Sequence, residues 1–355
     1  MYHLTFGFPD LGTLFSMKSA QLTGIREMKL RNIPDPKLHN ENDVLIRMAT
    51  IGVCGSDVHY YANGKIGSQV VTYPFTVGHE GAGMVEAVGA AGTRVRPGDR
   101  ITVEPAMSCG ECDPCRAGRP HTCRNLRFLG CPKQAEGCLS EYIVMPEKCC
   151  FVIPDEMGFE QAALVEPLAI GVYAVQQSGS VAGSRIAVLG SGPIGLSVLL
   201  AARAAGVHSV LMTDKIEARQ KKALAMGADW AGHDDQTETM LQKESGGFDI
   251  VFECCGDQAA LDQAVELLKP GGTVMVVGIP QFERWSFAVD QARHKELTLR
   301  NVRRQNGCVE KAIELAGTSG AEAMITHRFD FSETAAAFEL VDGYLDGVVK
   351  AMIQM

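Results

Sequence analysis

The sequence predicts an α/β fold: a doubly wound parallel sheet joined to a β-rich domain assembled from two separated parts of the chain. Three observations carry that prediction. From about residue 160 to 302, short apolar runs alternate with helical stretches, the pattern of successive βαβ units. A glycine-rich turn, Gly190-Ser191-Gly192-Pro193-Ile194-Gly195, sits between one such run and the helix after it. Before residue 160, short strands are broken by crowded glycines, as in irregular or barrel-like β domains.

In chain order, Asp43–Met48 alternates apolar and polar residues after the turn-forming Asn40-Glu41-Asn42, which predicts a strand. Six glycines follow between Gly78 and Gly98, then a turn at Arg96–Arg100 and a strand, Ile101–Glu104. Gln161–Gln177 has helical spacing. Arg185–Leu189 reads as a buried strand, Pro193–Ala205 as a helix, Ser209–Asp214 as a strand and Ile216–Met226 as a helix. The alternation continues with strand Asp249–Glu253, helix Gln258–Leu268 and strands Thr273–Gly278 and Leu297–Val302. The apolar tail Gly347–Ile353 is strand-like and is expected to return to the first domain.

Composition excludes several classes. The 355 residues suit two domains, and 46% hydrophobic with 21% charged residues is ordinary for a folded protein. A net charge of -9 opposes nucleic-acid binding, which needs basic surface, and supplies no polybasic membrane anchor. No apolar run is long enough to span a bilayer. Met1–Ser16 contains no Lys or Arg, so it lacks the positive start of a secretory signal; it is expected to be an extension outside the fold, and the location cytoplasmic. In that reducing setting the 12 cysteines point to metal ligation rather than disulfides. Cys254 and Cys255, beside a strand pattern, are expected to be ordinary buried thiols.

The glycine turn fits the dinucleotide fingerprint because a strand precedes it, a helix follows it, and Asp214 ends the next strand 24 residues after Gly190. Gly190 permits the turn, Gly192 lets backbone approach a pyrophosphate, and Gly195 lets helix and strand pack closely. Pro193 and Ile194 open the helix whose free N–H groups face the phosphates. Asp214 accepts from a ribose diol and repels a 2′-phosphate, which favours NAD over NADP. Lys215 and Arg219 lie close enough to weaken that preference. A glycine turn without ligand, with Asp214 as a helix cap, is the alternative.

Cys109, Cys112, Cys115 and Cys123 form a CxxCxxCx7C cluster. Four thiolates at this spacing suit a closed tetrahedral zinc site; the long last gap departs from iron–sulfur spacing, and a disulfide is the other alternative. Cys54, Ser56 and His59, followed by His79 and Glu80, supply a thiolate, a hydroxyl, two imidazoles and a carboxylate. Their spacing is compatible with one zinc ion, but taken alone it favours a buried thiol at Cys54 and a loop-capping His79.

Gly52–Tyr60, reading GVCGSDVHY, and Val77–Gly83, reading VGHEGAG, resemble the zinc signature of the medium-chain dehydrogenase/reductase family. The cysteine lobe, Val165-Glu166-Pro167-Leu168 and the glycine turn follow in that family's order, and the resemblance runs from Met17 to Met355. Within the family the wording of Cys54–Tyr60, Gly64-Lys65-Ile66-Gly67 and Glu166-Pro167-Leu168 is similar to that of the sorbitol and xylitol (polyol) dehydrogenases. The complete cysteine lobe departs from animal sorbitol dehydrogenases, which often lack it.

The resemblance implies a GroES-like catalytic zinc domain over residues 17–168 and 303–355, and an NAD-binding Rossmann domain over 169–302. It implies two zinc ions per chain. Cys54, His79 and Glu80 would hold the catalytic one, with Glu166 exchangeable with Glu80, and the lobe would hold the other. It implies proton movement through Ser56 and His59, substrate contacts from Tyr60, Glu166 and Arg304 (with Arg303 its neighbour), a small polyol substrate and a homotetramer. Threonine, butanediol or sugar-acid dehydrogenation, or a zinc-stabilised binding protein without activity, are the other readings.

Overall fold

The computed structural model describes residues 16–280 and 282–355. The extension expected over residues 1–16 therefore lies outside them, except for Ser16, which opens the strand Ser16–Gly24 and pairs with Pro34.

Residues 185–301 build a six-stranded parallel sheet. Its strand order is Trp230–Gly232, Ser209–Thr213, Arg185–Leu189, Phe248–Glu253, Leu268–Val276 and Thr298–Asn301. The chain leaves the central strand Arg185–Leu189 first toward one edge and then toward the other. A crevice opens at that reversal, beyond the carboxyl ends of the strands. The strands are nearly uniform apolar runs because helices cover both faces.

Val165–Gln177 packs against Pro193–Ala204, and glycine makes the close approach possible. A Cβ on Gly171 would lie 2.5 Å from the Ser197 carbonyl carbon. The helical stretch expected over Gln161–Gln177 is broken. One helix covers Phe159–Ala163, and a second starts at Val165. Pro167 has no N–H to donate to the carbonyl four residues earlier, so the first helix cannot run on through it.

The second body is a seven-stranded sheet whose central path runs Cys150–Val152, Arg100–Val103, Glu80–Val88, Asp43–Gly52, Lys350–Gln354 and Ile325–Asp330, with Tyr142–Pro146 also pairing to Asp43–Gly52. Its last strand comes from the C-terminal tail: Met352 pairs with Gly52, Ile353 with Ile51 and Gln354 with Thr50. That strand starts at Lys350, later than the sequence pattern suggests, because Leu345–Gly347 forms a short 3-10 turn. A smaller sheet of Glu27–Pro34, Ser16–Gly24 and Phe75–Thr76 packs beside it.

Gly171→Val should lower thermal stability by about 1–3 kcal/mol through overpacking of the two helices. Calorimetric unfolding within experimental error of the parent would show that the helices do not depend on this close approach.

Candidate active site

Between the two sheets lies a cleft of about 1400 Å³. One wall starts from Cys54, which precedes the helix Gly55–Asn63 in extended conformation. Gly64 ends that helix in the left-handed region, φ 66°, where glycine costs least. Ser56 and His59 lie three residues apart, hence on one helix face, and both line the cleft. The Ser56 hydroxyl is 3.4 Å from Cys54 Sγ. Burial lowers the pKa of His59 and favours its neutral ring.

His79 and Glu80 approach Cys54 from the opposite strand. One ligand atom from each of Cys54, His79 and Glu80 lies within 4.8 Å of the other two. Asp57, in the first turn of the helix, places Oδ1 3.2 Å from His79 Nδ1 and also accepts from the Gly78 N–H. That bond fixes the ring and leaves Nε2 for a metal, an arrangement common around ligating histidines. The donors are a soft thiolate, an imidazole and a carboxylate, a set that fits Zn²⁺ with one position open. Glu166 lines the same cleft, outside this cluster. Burial pushes its carboxyl up to about 7.

Lys350 was not singled out from the sequence. Its ammonium is enclosed by Glu80 Oε1 at 2.9 Å, Glu80 Oε2 at 2.6 Å and the Val53 carbonyl at 3.2 Å, and both side chains are 1% exposed. Burial alone would drive Lys350 toward neutrality; Glu80, with Cys54 behind it, outweighs burial and keeps the pKa above its ordinary value. Gly52 leaves room for this pair, since a Cβ there would stand 2.2 Å from Glu80 Oε2. A single charge inside the apolar run Gly347–Ile353 was the available signal for Lys350. Asp57 sat unremarked within the Cys54–His59 motif.

On the opposite wall, Gly190 adopts φ 99° and Gly195 packs so closely that a Cβ would meet the Gly190 carbonyl oxygen at 1.8 Å. Gly192, Pro193 and Ile194 face the cleft. Asp214 lines it too, and braces the turn by accepting from the Ser191 N–H at 2.8 Å and the Ile216 N–H at 2.9 Å. The two cations beside it are committed elsewhere. Lys215 pairs with Asp257 at 3.1 Å and with Asp234, and Arg219 donates twice to the Val348 carbonyl, at 2.9 and 2.7 Å. Cys254 and Cys255, expected to be ordinary buried thiols, line the cleft instead, and Cys255 is exposed. They follow the strand Phe248–Glu253 at its carboxyl end, where a parallel sheet opens rather than closes.

Tyr60 is buried and donates to Gln69 Oε1 at 2.8 Å. Arg303 and Arg304 both reach the cleft. Outside it, Cys109, Cys112, Cys115 and Cys123 form a separate cluster with all four sulfurs within 4.8 Å of one another. The backbone N–H groups of Glu111 and Cys112 pull Cys109 down to about 6, while burial pushes Cys115 up to about 12.

A parallel sheet with a glycine turn at its crevice, facing a β body that presents a set of possible metal ligands, is the arrangement of nucleotide-dependent metal enzymes. Comparison with known proteins refines the class. The model of the alcohol dehydrogenase GroES-like domain matches residues 40–155, and that of the zinc-binding dehydrogenase matches residues 193–318. Sorbitol dehydrogenase of Bacillus subtilis is 34% identical over 95% of this chain and 97% of its own length. L-idonate 5-dehydrogenase of Vitis vinifera is 32% identical over 89% of this chain and 88% of its own. The crystal structure of 2R,3R-butanediol dehydrogenase from Bacillus subtilis superposes with a TM-score of 0.86 at 29% identity, covering 96% of this chain and all of that one. The chain belongs to the zinc-binding dehydrogenase family, with an alcohol dehydrogenase GroES-like domain.

Lys350→Met should destabilise the metal-free protein by about 3–5 kcal/mol, because it strands Glu80 as a buried, unpaired charge. Adding Glu80→Gln should recover much of that loss in denaturant titrations. A single variant as stable as the parent would show that the pair is solvated.

Proposed function

We propose that this protein oxidises a secondary alcohol of a polyol, of the sorbitol or xylitol type, to a ketose with NAD. The observation that carries this reading is the meeting, in one cleft, of the Cys54–His79–Glu80 donor cluster and the Gly190–Gly195 turn. The sorbitol dehydrogenase relative supports the substrate class.

Zinc at the cluster supplies the Lewis acidity that makes a hydroxyl proton labile, and NAD supplies the hydride acceptor. The chain's own residues do the rest. Cys54, His79 and Glu80 hold the ion; Asp57 fixes the His79 ring; Lys350 balances the charge of Glu80. Glu166, in the same cleft, would reach the ion through water or in place of Glu80. Ser56 would accept the hydroxyl proton as its own passes, through the cofactor's ribose hydroxyls, to His59, which burial holds toward its neutral form. Asp214 receives the adenosine ribose, and the two cations beside it, Lys215 and Arg219, are engaged by Asp257, Asp234 and the Val348 carbonyl rather than aimed at a 2′-phosphate. Gly190, Gly192, Pro193 and Ile194 receive the pyrophosphate, with Gly195 shaping the turn and Arg219 beside it. Tyr60, Glu166 and Arg304 border the substrate. The cysteine lobe holds a second, structural zinc.

The domain division expected from the sequence, 17–168 with 303–355 around 169–302, is consistent with this assignment of roles. No helix among the described residues is long and apolar enough to cross a membrane, and a cytoplasmic location is the one proposed. The edge strand Thr298–Asn301 is exposed along its length, with Leu299 and Val289 open to solvent. That edge supports self-association, and a homotetramer is the assembly proposed.

The test is a panel of sorbitol, xylitol, L-threonine, butanediol and L-idonate with NAD and NADP. A polyol should be oxidised with NAD preferred; threonine or butanediol alone would overturn the substrate class. Cys54→Ser should abolish turnover, lose one of two zinc ions per chain by metal analysis, and leave the fold intact. Asp214→Ala should erode the NAD preference; unchanged discrimination would remove Asp214 from the ribose.

A further inference from the structure

The chain passes between the two large sheets twice, once between Cys150–Val152 and Arg185–Leu189 and once between Thr298–Asn301 and Ile325–Asp330. Each passage contributes to the cleft wall. The helix Val165–Gln177 of the first supplies Glu166 and Ile170, and residues 302–304 of the second also line it. Both passages touch the cysteine lobe, which lies outside the cleft. The Tyr173 hydroxyl, on that helix, is 3.1 Å from Nε2 of His121, and the two rings meet edge-on with centroids 5.3 Å apart. In the second passage, Asn306 donates its side-chain amide to the Gly118 carbonyl at 2.9 Å. Gly118 and His121 belong to the lobe, between Cys115 and Cys123.

Tyr173 is placed to act on the cleft wall. Glu166, Ile170 and Tyr173 follow one another at spacings of four and three residues, so they form one stripe along the helix. Tyr173 is 6% exposed and His121 3%, so a hydroxyl and an imidazole that lost each other here would be left buried without a partner. The loop that carries Asn306 is tied to the same helix. Gln305 Oε1 accepts from the Cys308 N–H at 2.9 Å, and the Cys308 thiol reaches Gln176 Oε1 at 3.3 Å. The lobe thus grips a helix and a loop that also grip each other.

Little besides its sulfurs keeps the lobe folded. Its two helical turns, Asp113–Arg116 and Pro120–Thr122, bury only His121. Four sulfurs within 4.8 Å of one another suit a cation among them, and a loop built this way folds together with its metal. Gly118 and His121 are therefore in place for Asn306 and Tyr173 only while the sulfurs are gathered.

We propose that Tyr173 and Asn306 are positioning residues through which the cysteine lobe sets the cleft for the dinucleotide, so that metal in the lobe and NAD in the cleft strengthen each other's binding. This rests on the reading that the cleft takes NAD and the lobe a metal, and it is independent of the substrate. A dinucleotide that lies on the Gly190–Gly195 turn and reaches the Cys54–His79–Glu80 cluster touches both bodies. Its affinity depends on how they are placed, and the passages that join them are the ones the lobe tethers. Coupling of this kind is reciprocal, so it can be read from either site.

The experiment uses the protein with cobalt in both metal sites. A chelator is titrated in with and without saturating NADH, and occupancy of the lobe is followed by the visible bands of four-thiolate cobalt. In the parent, NADH should raise the chelator concentration that empties the lobe about tenfold, within the usual range for coupled sites. The band positions should not move, because the ligands are the same. Tyr173→Phe, which removes one hydroxyl, should cut that factor. Tyr173→Phe with Asn306→Ala should bring it close to one while the lobe still takes cobalt, and NADH binding, read by its fluorescence, should weaken by a similar factor. Variants that melt earlier yet keep the parent's NADH effect on the lobe would reduce both residues to a structural role and overturn the proposal. So would a parent protein whose lobe releases cobalt equally with and without NADH, a result that needs no variant. If NADH does not bind at all, the cofactor reading falls together with this one; if it binds and the lobe does not respond, only this one falls.

Discussion

The site depends on one buried ion pair, Glu80 with Lys350. Both charges are withdrawn from water, and the penalty for that is several kcal/mol per ion unless geometry and extra hydrogen bonds offset it. Here Lys350 meets both oxygens of Glu80 and a backbone carbonyl, so its donors are satisfied. The two residues are 270 positions apart in sequence, and only strand pairing brings them together. Glu80 opens the strand Glu80–Val88, Lys350 opens the strand Lys350–Gln354, and the strand Asp43–Gly52 lies between them. Gly52 is the residue on that middle strand where the two charges meet. A one-residue slip of the tail strand would turn Lys350 to the opposite face, so the register of the last strand and the integrity of the metal cluster are the same constraint.

That constraint also ties the two sheets together. Val348, two residues before Lys350, gives its carbonyl to Arg219 of the helix Glu217–Ala225 in the parallel-sheet body. Arg219 is 8% exposed, and its Nη1 lies 3.6 Å from where a Cβ of Gly192 would be. The segment 348–350 therefore reaches the glycine turn through Arg219 at one end and Glu80 of the ligand cluster at the other. Three consecutive residues thus link the helix beside the glycine turn to the Cys54–His79–Glu80 cluster.

Much of this was legible in the sequence because it rests on local rules. Strand Arg185–Leu189 and the helix from Pro193 were readable from an apolar run, a glycine turn and a proline at the first helical position. Family wording and order made the Cys54–His79–Glu80 group recognisable, although its spacing alone was uninformative. What escaped was non-local. Lys350 acquires its meaning from a strand partner hundreds of residues away, and Gly52 from the side chain of Glu80. Pro167 divided a helix that periodicity alone would continue. Cys254 and Cys255 looked like core thiols because an apolar strand precedes them; only the sheet topology shows that this strand ends at the crevice. Arg304 was singled out by position, but its contact with Phe128 needed the fold.

The measurement that reaches the central claim most directly is the absorption spectrum of the cobalt-substituted protein, with and without NADH and a polyol. Two cobalt ions per chain are expected. One should show the intense charge-transfer bands of four thiolates and ignore added ligand. The other should show the weaker band of a single thiolate, shift when NADH and polyol are added together, and vanish in Cys54→Ser. A single cobalt ion in the cysteine lobe, or a second ion indifferent to both ligand and Cys54, would contradict the assignment of Cys54, His79 and Glu80 as the reactive centre.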